Sequence, residues 1–266
     1  MIRPLVTSVQ NQRVKDVVKL RDRKQREKQG KFLIDGAREI ERALDGSIVL
    51  IEVFTCEELC HTDESRMLIE KLRRSDIALQ PCTPEVFAKL AFGDRAEGVL
   101  AVAATPNRKL SELTVTDAAL ITVLVGLEKP GNVGAVLRSA DAAGVSAVII
   151  ADGGTDLFNP NCIRSSLGTI FTLPVCEATS AEALTWLRQQ KLKLFATRVD
   201  GAMDYTAANF LGPAAIVLGS EAAGLSHDWS AADISAIKLP MHGAGDSLNV
   251  SATAAVLFYE ALRQRP

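Results

Sequence analysis

The chain has 266 residues, of which 47% are hydrophobic and 23% are charged, and its formal net charge is −2 at pH 7. This balance is typical of a soluble globular protein with one or two domains, and it excludes an intrinsically disordered chain. No apolar run approaches the roughly 18 residues of a membrane span, and the first residues lack the apolar core of a secretion signal. We therefore expect a cytoplasmic protein with no membrane partner.

The five cysteines have irregular spacings, which does not indicate a disulfide framework. Cys56, Cys60 and His61 resemble half of a metal site, but the sequence contains no second matching pair. We predict that the protein binds no metal.

The first predicted element is a basic helix over residues 9–28. Between Arg13 and Lys31 the chain has nine basic residues and three acidic ones. A segment with this charge is either a solvated helix face or a contact for a polyanion such as a nucleic acid. The candidate contact residues are Lys15, Lys19, Arg23 and Lys24.

Short strands and helices alternate from KFLID (residues 31–35) to VLAVA (residues 99–103). This alternation predicts a compact α/β domain over residues 1–104. The following TPNRKLSE stretch combines Pro and Asn with basic residues, which is typical of a connection between domains. We predict a linker over residues 105–116.

The second predicted domain covers residues 117–266 and again alternates strands with helices. Strands such as AVIIA (residues 147–151) and AAIVL (residues 214–218) are apolar throughout, as expected for parallel strands covered on both faces. The pattern also predicts a strand over residues 171–175 and a helix over residues 250–262. The fold class predicted for this half is α/β with a mostly parallel sheet.

Three loops of the second half follow apolar strands and combine glycines with polar residues. They are residues 127–138 (the first loop), 218–226 (the second loop) and 239–249 (the third loop). Ligands of open parallel sheets bind beyond the carboxyl ends of the strands. We expect the three loops to meet at that edge and to build one site.

The first loop contains two candidate site residues, Asn132 and Arg138. A dinucleotide site is disfavoured, because the G-x-G-x-x-G pattern is absent and the following strand ends at Ala151, with Asp152 only beyond it. Arg138 lies in an otherwise apolar helix, so it is either a surface arginine or a contact for an anion.

The second and third loops contribute one acid and two small polar residues. Glu221 lies between glycines, where it caps a helix or orients a neighbouring basic or amide group. Ser247 and Asn249 directly precede a helix, where such residues accept hydrogen bonds from unpaired N–H groups. The alternative is that Gly243 and Gly245 let a ligand approach the backbone while Ser247 and Asn249 bind it.

The segments NVGAVLRSADAAGV, IVLGSEAAGLS and LPMHGAGDSLNVSATAAVLFYE resemble the three motifs of the SpoU (TrmH) family of RNA 2′-O-ribose methyltransferases, in the SPOUT superfamily. KFLIDGAREIERAL and EGVLAVAA are similar to the small substrate-binding domain that precedes the catalytic domain in many rRNA-modifying members. The chain departs from this pattern at Asp35, where Glu is common, and at Glu97, where many relatives have Gln.

The resemblance implies a C-terminal α/β trefoil-knot domain preceded by a smaller, L30e-like α/β domain. It implies that S-adenosylmethionine, the methyl donor, binds in the knotted loops and that no metal is required. It also implies homodimers that form through the knot region, with the site completed across the interface. The residues expected to line the donor pocket are Leu218, Gly219, Leu239, Met241 and Leu248.

The roles of the polar residues are likewise carried over from the family. Arg138 either accepts the proton of the ribose hydroxyl or holds the RNA phosphate and the attacking oxygen, and both alternatives stay open. Asn132 would position RNA or the arginine, and Glu221 would orient its neighbours. Ser247 and Asn249 would shape the donor and ribose pocket.

The function that this resemblance implies is S-adenosylmethionine-dependent methylation of a ribose 2′-hydroxyl in structured RNA, with 23S rRNA as the expected substrate. Two alternatives remain open: a tRNA 2′-O-methyltransferase, and a non-catalytic RNA-binding factor of ribosome assembly.

Overall fold

The computed structural model describes residues 1–93, 97–220, 223–245 and 247–265. Its helices are α1 (Gln12–Lys19), α2 (Arg23–Gln29), α3 (Ala37–Asp45), α4 (Asp63–Arg73), α5 (Pro84–Leu90), α6 (Pro130–Ala142), α7 (Pro160–Ser165), α8 (Thr169–Thr172), α9 (Ser180–Gln189) and α10 (Val250–Gln264). Its strands are β1 (Lys31–Asp35), β2 (Leu50–Thr55), β3 (Ala78–Pro81), β4 (Val99–Ala104), β5 (Leu120–Val125), β6 (Ala147–Ala151), β7 (Val175–Ala178), β8 (Lys193–Thr197), β9 (Met203–Asp204), β10 (Ala214–Leu218) and β11 (Ile234–Lys238). Among the described residues, no helix is long and apolar enough to cross a membrane.

Contacts divide the chain into two compact units. The first unit comprises Met1–Pro106 and Leu157–Thr172, and the second comprises Asn107–Asp156 and Leu173–Pro266. The sequence led us to expect two uninterrupted domains. In the structure a stretch from the second half, residues 157–172, lies with the first unit.

The first unit is built on a four-stranded sheet in the order β1-β4-β2-β3. β4 is antiparallel to β1 and β2, and β3 is parallel to β2. The ring of Phe32 on β1 lies 4.5 Å from that of Phe158 and 5.8 Å from that of Phe171. Both partners belong to residues 157–172, so this stretch contributes aromatic side chains to the core of the first unit.

The predicted basic helix is two helices, and the prediction of one continuous element was wrong. α1 ends before Leu20, a buried residue, and Asp22 caps α2 by accepting a hydrogen bond from the Gln25 N–H at 3.1 Å. The buried guanidinium of Arg26 donates to the carbonyl oxygens of Leu20 and Arg21. An aspartate that captures a backbone N–H starts a new helix more readily than it continues an old one.

The second unit is built on a seven-stranded sheet in the order β7-β6-β5-β10-β8-β11-β9, in which every neighbouring pair is parallel. The prediction of a mostly parallel sheet is therefore confirmed. The strand predicted over residues 171–175 was wrong, because α8 ends at Thr172 and β7 spans Val175–Ala178. A short apolar run such as Ile170–Leu173 is compatible with either element, and here Phe171 packs beside Phe32.

The C-terminal helix returns towards the middle of this sheet. β8 separates β11 from β10, yet α10 packs against β10 and α6. Between the end of β11 and the start of α10 the chain therefore returns towards α6, which is the chain course that the predicted knot requires. The Arg265 guanidinium then ties the end of α10 to the carbonyl oxygens of Ala118, Phe210 and Gly212 at 2.6–2.9 Å.

Candidate functional site

The carboxyl ends of the parallel strands place the three loops at one edge of the large sheet. β5, which precedes the first loop, pairs with β10, which precedes the second loop. Gly126 lies so close to the second loop that a Cβ on it would come within 3.9 Å of the Ser220 Cβ. The sheet order therefore brings the first and second loops together, as expected from the sequence.

The turn that leads into the first loop is fixed by its neighbour β6. The Gly126 N–H donates to the Ala151 carbonyl at 2.9 Å, and the Leu127 carbonyl accepts a hydrogen bond from the Thr155 hydroxyl. α6 then begins at Pro130, whose fixed φ suits the first position of a helix. Asn132 follows in the first turn.

The second loop folds back on itself immediately after β10. A Cβ on Gly219 would collide with the Gly224 backbone, and Ser220 and Gly224 exchange two backbone hydrogen bonds of 3.2 and 2.9 Å. Glycine at position 219 is thus required by the close approach of two backbone segments. The predicted site residue Glu221 lies outside the described residues.

Asn249 caps a helix, as one of the two interpretations of the third loop expects, and its two amide atoms have different partners. Its Oδ1 accepts hydrogen bonds from the Ser251 N–H at 2.9 Å and the Ser251 hydroxyl at 2.6 Å, so it is the N-cap of α10. Its Nδ2 donates to Oδ1 of Asn132 at 3.4 Å. The first turns of α6 and α10 therefore meet through two predicted site residues.

Arg138 does not join this pair within one chain. It lies six positions after Asn132, which on an α-helix is about 120° around the axis and about 9 Å along it. Its side chain is exposed, and within the described residues it makes no hydrogen bond or ion pair. An exposed arginine that has no partner among the described residues is available to bind an anion.

The residues predicted to line a donor pocket differ in exposure. Leu218 is buried at the end of β10. Met241 and Leu248 on the third loop are 37% and 43% exposed, and Leu239 is half-buried. Ser247 is exposed as well. Apolar side chains left uncovered on a glycine-containing loop suit a ligand with an apolar face.

Asp152 has a structural task that accounts for its position after β6. Its φ of 49° is in the left-handed region, and its carboxylate accepts a hydrogen bond from the Ser180 N–H at the start of α9, at 2.9 Å. A carboxylate engaged at a helix start is not free to bind a dinucleotide ribose, which agrees with the missing glycine pattern.

The four basic residues singled out on α1 and α2 divide into two pairs. Lys19 forms an ion pair with Asp16 at 2.9 Å, and Arg23 forms one with Glu27 at 2.7 Å. Lys15 and Lys24 are exposed and form no ion pair within the described residues. Lys15 and Lys24 therefore retain the larger uncompensated charge.

A cluster of charged groups surrounds the turn between β1 and α3 in the first unit. The Asp35 carboxylate accepts a hydrogen bond from the Phe92 N–H at 2.8 Å, and Glu97 accepts one from the Ala37 N–H at 3.2 Å. Burial raises the pKa of Asp35 to about 6, although the Phe92 hydrogen bond and the nearby Arg164 act in the opposite direction. Both departures from the family pattern thus lie in one cluster.

The cysteines near His61 are not arranged as metal ligands. Cys56 and Cys60 are buried, and the Cys60 thiol donates to the Cys56 carbonyl at 3.3 Å. Burial raises the pKa of Cys60 to about 11, which disfavours the thiolate that a metal requires. In the described part of the chain, no group of three or more His, Cys, Asp or Glu residues is placed to hold a metal ion.

Sequence reasoning missed Thr155, which contacts the turn before α6. It follows Gly153 and Gly154 in the loop after β6, and this loop was not among the three assigned to the site. A polar residue beyond the carboxyl end of the strand next to β5 was the available signal.

Two family models match the chain in succession. The model described as the MRM3-like substrate binding domain matches residues 11–101, and the model described as the SpoU rRNA Methylase family matches residues 119–259. The second match includes the five polar residues predicted for the catalytic site, and the first match includes the four basic residues predicted to contact RNA.

Similar proteins cover nearly the whole chain. The 23S rRNA (uridine(2479)-2′-O)-methyltransferase of Streptomyces viridochromogenes is 30% identical over 253 residues, covering 92% of this chain and 87% of its own length. A crystal structure of an RNA 2′-O ribose methyltransferase is 44% identical, with a TM-score of 0.85 and coverage of 98% of this chain and 99% of that chain. The SpoU methyltransferase AviRb from S. viridochromogenes, solved with the cofactor AdoMet, is 28% identical with a TM-score of 0.87, covering 96% and 98%.

Proposed function

This chain belongs to the SpoU rRNA methylase family, and on that premise we propose that it transfers the methyl group of S-adenosylmethionine to a ribose 2′-hydroxyl of 23S rRNA. The observation that carries the proposal is the contact between Asn132 and Asn249, 3.4 Å apart at the edge of the large sheet. It unites the first and third family motifs in one place.

The donor fits the second and third loops. S-adenosylmethionine, when bound, supplies an electrophilic methyl group on its sulfonium centre. Gly219 brings two backbone segments together, and no atom of the described residues lies within 4 Å of a Cβ built on Gly243. We propose that the exposed side chains of Met241 and Leu248 pack against the adenine ring of the donor. Leu218 and Leu239 would add backbone contacts.

The acceptor hydroxyl needs placement and a route for its proton, because its pKa lies far above 7. A guanidinium rarely releases a proton, so we assign Arg138 to the RNA phosphate and the attacking oxygen, and we assign the proton of the hydroxyl to that phosphate, from which it passes to water. Asn132 and Asn249 would orient the ribose between the first turns of α6 and α10. Ser247, exposed beside Leu248, would complete the pocket, and Glu221 would orient its neighbours.

A second copy of the chain completes the site in this proposal. Arg138 and Asn132 lie on different faces of α6, so one RNA nucleotide would meet both most readily across a dimer interface. The outward side of α10 supports this, since Val256, Tyr259 and Leu262 are 38–53% exposed at helical spacing. An exposed apolar stripe on a helix that packs beside α6 suits a symmetric helix contact.

RNA would reach the first unit through α1 and α2, where Lys15 and Lys24 offer uncompensated charge. We keep the predicted domains over residues 1–104 and 117–266 and the linker over residues 105–116, except that residues 157–172 belong to the first unit. We also propose a cytoplasmic location, where an rRNA substrate would be met.

Transfer of labelled methyl from S-adenosylmethionine to RNA from a strain lacking the gene tests the proposal. We expect label in 23S rRNA at one position, and little in tRNA. Label confined to tRNA would identify the protein as a tRNA 2′-O-methyltransferase, the first of the two alternatives. Donor binding without transfer to tRNA, free rRNA or ribosomal subunits would favour the assembly-factor alternative.

A further inference from the structure

Thr155 occupies a buried position that no family motif assigns. Its side chain is 1% exposed, and its hydroxyl donates a hydrogen bond to the Leu127 carbonyl. Leu127 is itself buried and is the first residue of the first loop. A buried carbonyl left without a partner costs free energy, so this hydrogen bond fixes where the backbone of Leu127 lies.

The turn before α6 has two anchors, and both belong to the neighbouring strand and the loop after it. The Ala151 carbonyl, at the end of β6, accepts the Gly126 N–H at 2.9 Å. Thr155, four residues later, holds the Leu127 carbonyl. The first anchor is a backbone contact that any residue could make, whereas the second depends on one hydroxyl group.

Glycine at position 153 allows Thr155 to reach back. A Cβ on Gly153 would lie 2.7 Å from Cγ2 of Ile150, which is closer than real Cβ atoms approach. The chain therefore folds tightly over the end of β6 before it reaches Thr155. This close approach restricts the path of the loop and thereby the position of the Thr155 hydroxyl.

The position of Leu127 determines where α6 begins. Only Glu128 and Lys129 separate it from Pro130, whose ring restricts the backbone further. Asn132 lies in the first turn, and its Oδ1 meets Asn249 at 3.4 Å. A displacement at Leu127 would move Asn132 relative to Asn249, and misplacement by about 1 Å is enough to cost about 100-fold in rate.

We propose that Thr155 is a positioning residue for methyl transfer: its hydroxyl holds the Leu127 carbonyl and thereby aligns Asn132 with Asn249. This inference rests on the function proposed above. Thr155 would contact neither the donor nor RNA, and it would act through the backbone of the first loop.

The test compares Thr155→Val, which keeps the shape but removes the hydroxyl, with Thr155→Ser, which keeps the hydroxyl. We expect T155V to lower the single-turnover rate of methyl transfer about tenfold or more, with dissociation constants for S-adenosylmethionine and RNA within about twofold of wild type. T155S should recover most of the rate. The matched control is Thr122→Val, because the Thr122 hydroxyl is also buried and donates to a carbonyl, that of Ile216 at 3.1 Å, but between two strands of the sheet.

A T155V rate equal to wild type would overturn the proposal. So would a parallel loss of melting temperature, donor affinity and rate that T155S does not recover, since that pattern belongs to a purely structural residue. If T155V does not fold, Thr155→Ala replaces it, because it places no methyl group against the carbonyl. The same result is then required: a lower transfer rate with unchanged dissociation constants. A wild-type protein that binds donor but transfers no methyl refutes the proposed function instead.

Discussion

The side chains of Asn132 and Asn249 meet across 117 positions of sequence, with Nδ2 of Asn249 donating to Oδ1 of Asn132 at 3.4 Å. One residue lies in the first turn of α6 and the other caps α10, so the N-terminal ends of two helices point into the same region. The positive ends of two helix dipoles favour anionic groups there. An RNA backbone or a donor carboxylate supplies such a group.

Asn249→Asp separates the two tasks of this residue. The aspartate still accepts hydrogen bonds from Ser251, but it cannot donate to Asn132. We predict an unchanged melting temperature and a methyl-transfer rate at least tenfold lower. Asn249→Ala should in addition destabilise the protein by about 1 kcal/mol through loss of the cap. Wild-type activity in the aspartate variant would show that the Asn132 contact has no catalytic part.

Arg138→Ala should abolish methyl transfer without affecting folding, since within the described residues the side chain has no partner to lose. We expect a rate loss of about 100-fold or more and an unchanged melting temperature. Arg188→Ala is the control, because Arg188 is also exposed in the second unit but pairs with Asp233 at 2.7 Å. Near-normal transfer by the Arg138 variant would refute its assigned role.

Neutralising Lys15 and Lys24 together should weaken RNA binding more than neutralising Lys19 and Arg23. The second pair is already partly neutralised by Asp16 and Glu27. Removal of one ion pair with an RNA phosphate should reduce the slope of log affinity against log salt by about 0.7–0.9. An unchanged slope in the variant that lacks all four charges would identify α1 and α2 as a solvated face only.

Arg265 should be important for stability and neutral for chemistry. Its guanidinium reaches three backbone carbonyls at 2.6–2.9 Å, so Arg265→Ala leaves several acceptors unpaired. We predict a loss of about 2 kcal/mol or more in the free energy of unfolding. Arg188→Ala, which removes only an exposed pair with Asp233 at 2.7 Å, should cost less than about 1 kcal/mol. Equal losses in denaturant titrations would contradict this role of Arg265.

Asp35 should make stability depend on pH. Its folded pKa is raised from 3.8 to about 6 by burial, so the folded state binds the proton more tightly than the unfolded state. The contribution of this group is fully present below pH 3.8 and is lost as pH rises through 6. The side chain of the Asp35→Asn variant does not titrate. The melting temperature of this variant, relative to that of wild type, should therefore rise between pH 4 and pH 7. A difference between the two proteins that is constant with pH would refute the shift.

The sheet of the second unit could be predicted because its strands are apolar on both faces, as AVIIA and AAIVL show. The allocation of residues 157–172 could not be predicted. Cys162, Ile163 and Phe171 are apolar and would suit the core of either unit. Only the contact of Phe171 with Phe32 in the folded chain assigns this stretch to the first unit. The break before Asp22 could not be predicted from charge either, because α1 and α2 are both rich in Lys and Arg.

Part of the site followed from chain order alone. Loops after parallel strands share one edge, so the first and second loops could be placed together from the strand pattern. The contact between Asn132 and Asn249 depends on the return of α10 to α6, which no local pattern encodes. Thr155 was missed although its place beyond the carboxyl end of β6 was a usable signal, and its partner Leu127, 28 residues away, could not be identified from sequence.

The proposed function requires that the methyl group goes to a ribose oxygen of 23S rRNA. The most direct measurement is mass spectrometry of nucleosides from unmodified 23S rRNA after reaction with the purified protein and S-adenosylmethionine. We predict one new 2′-O-methylnucleoside, absent when the Arg138→Ala variant replaces wild type. A nucleoside methylated on its base, or no methylated product from any RNA fraction, would contradict the proposed function.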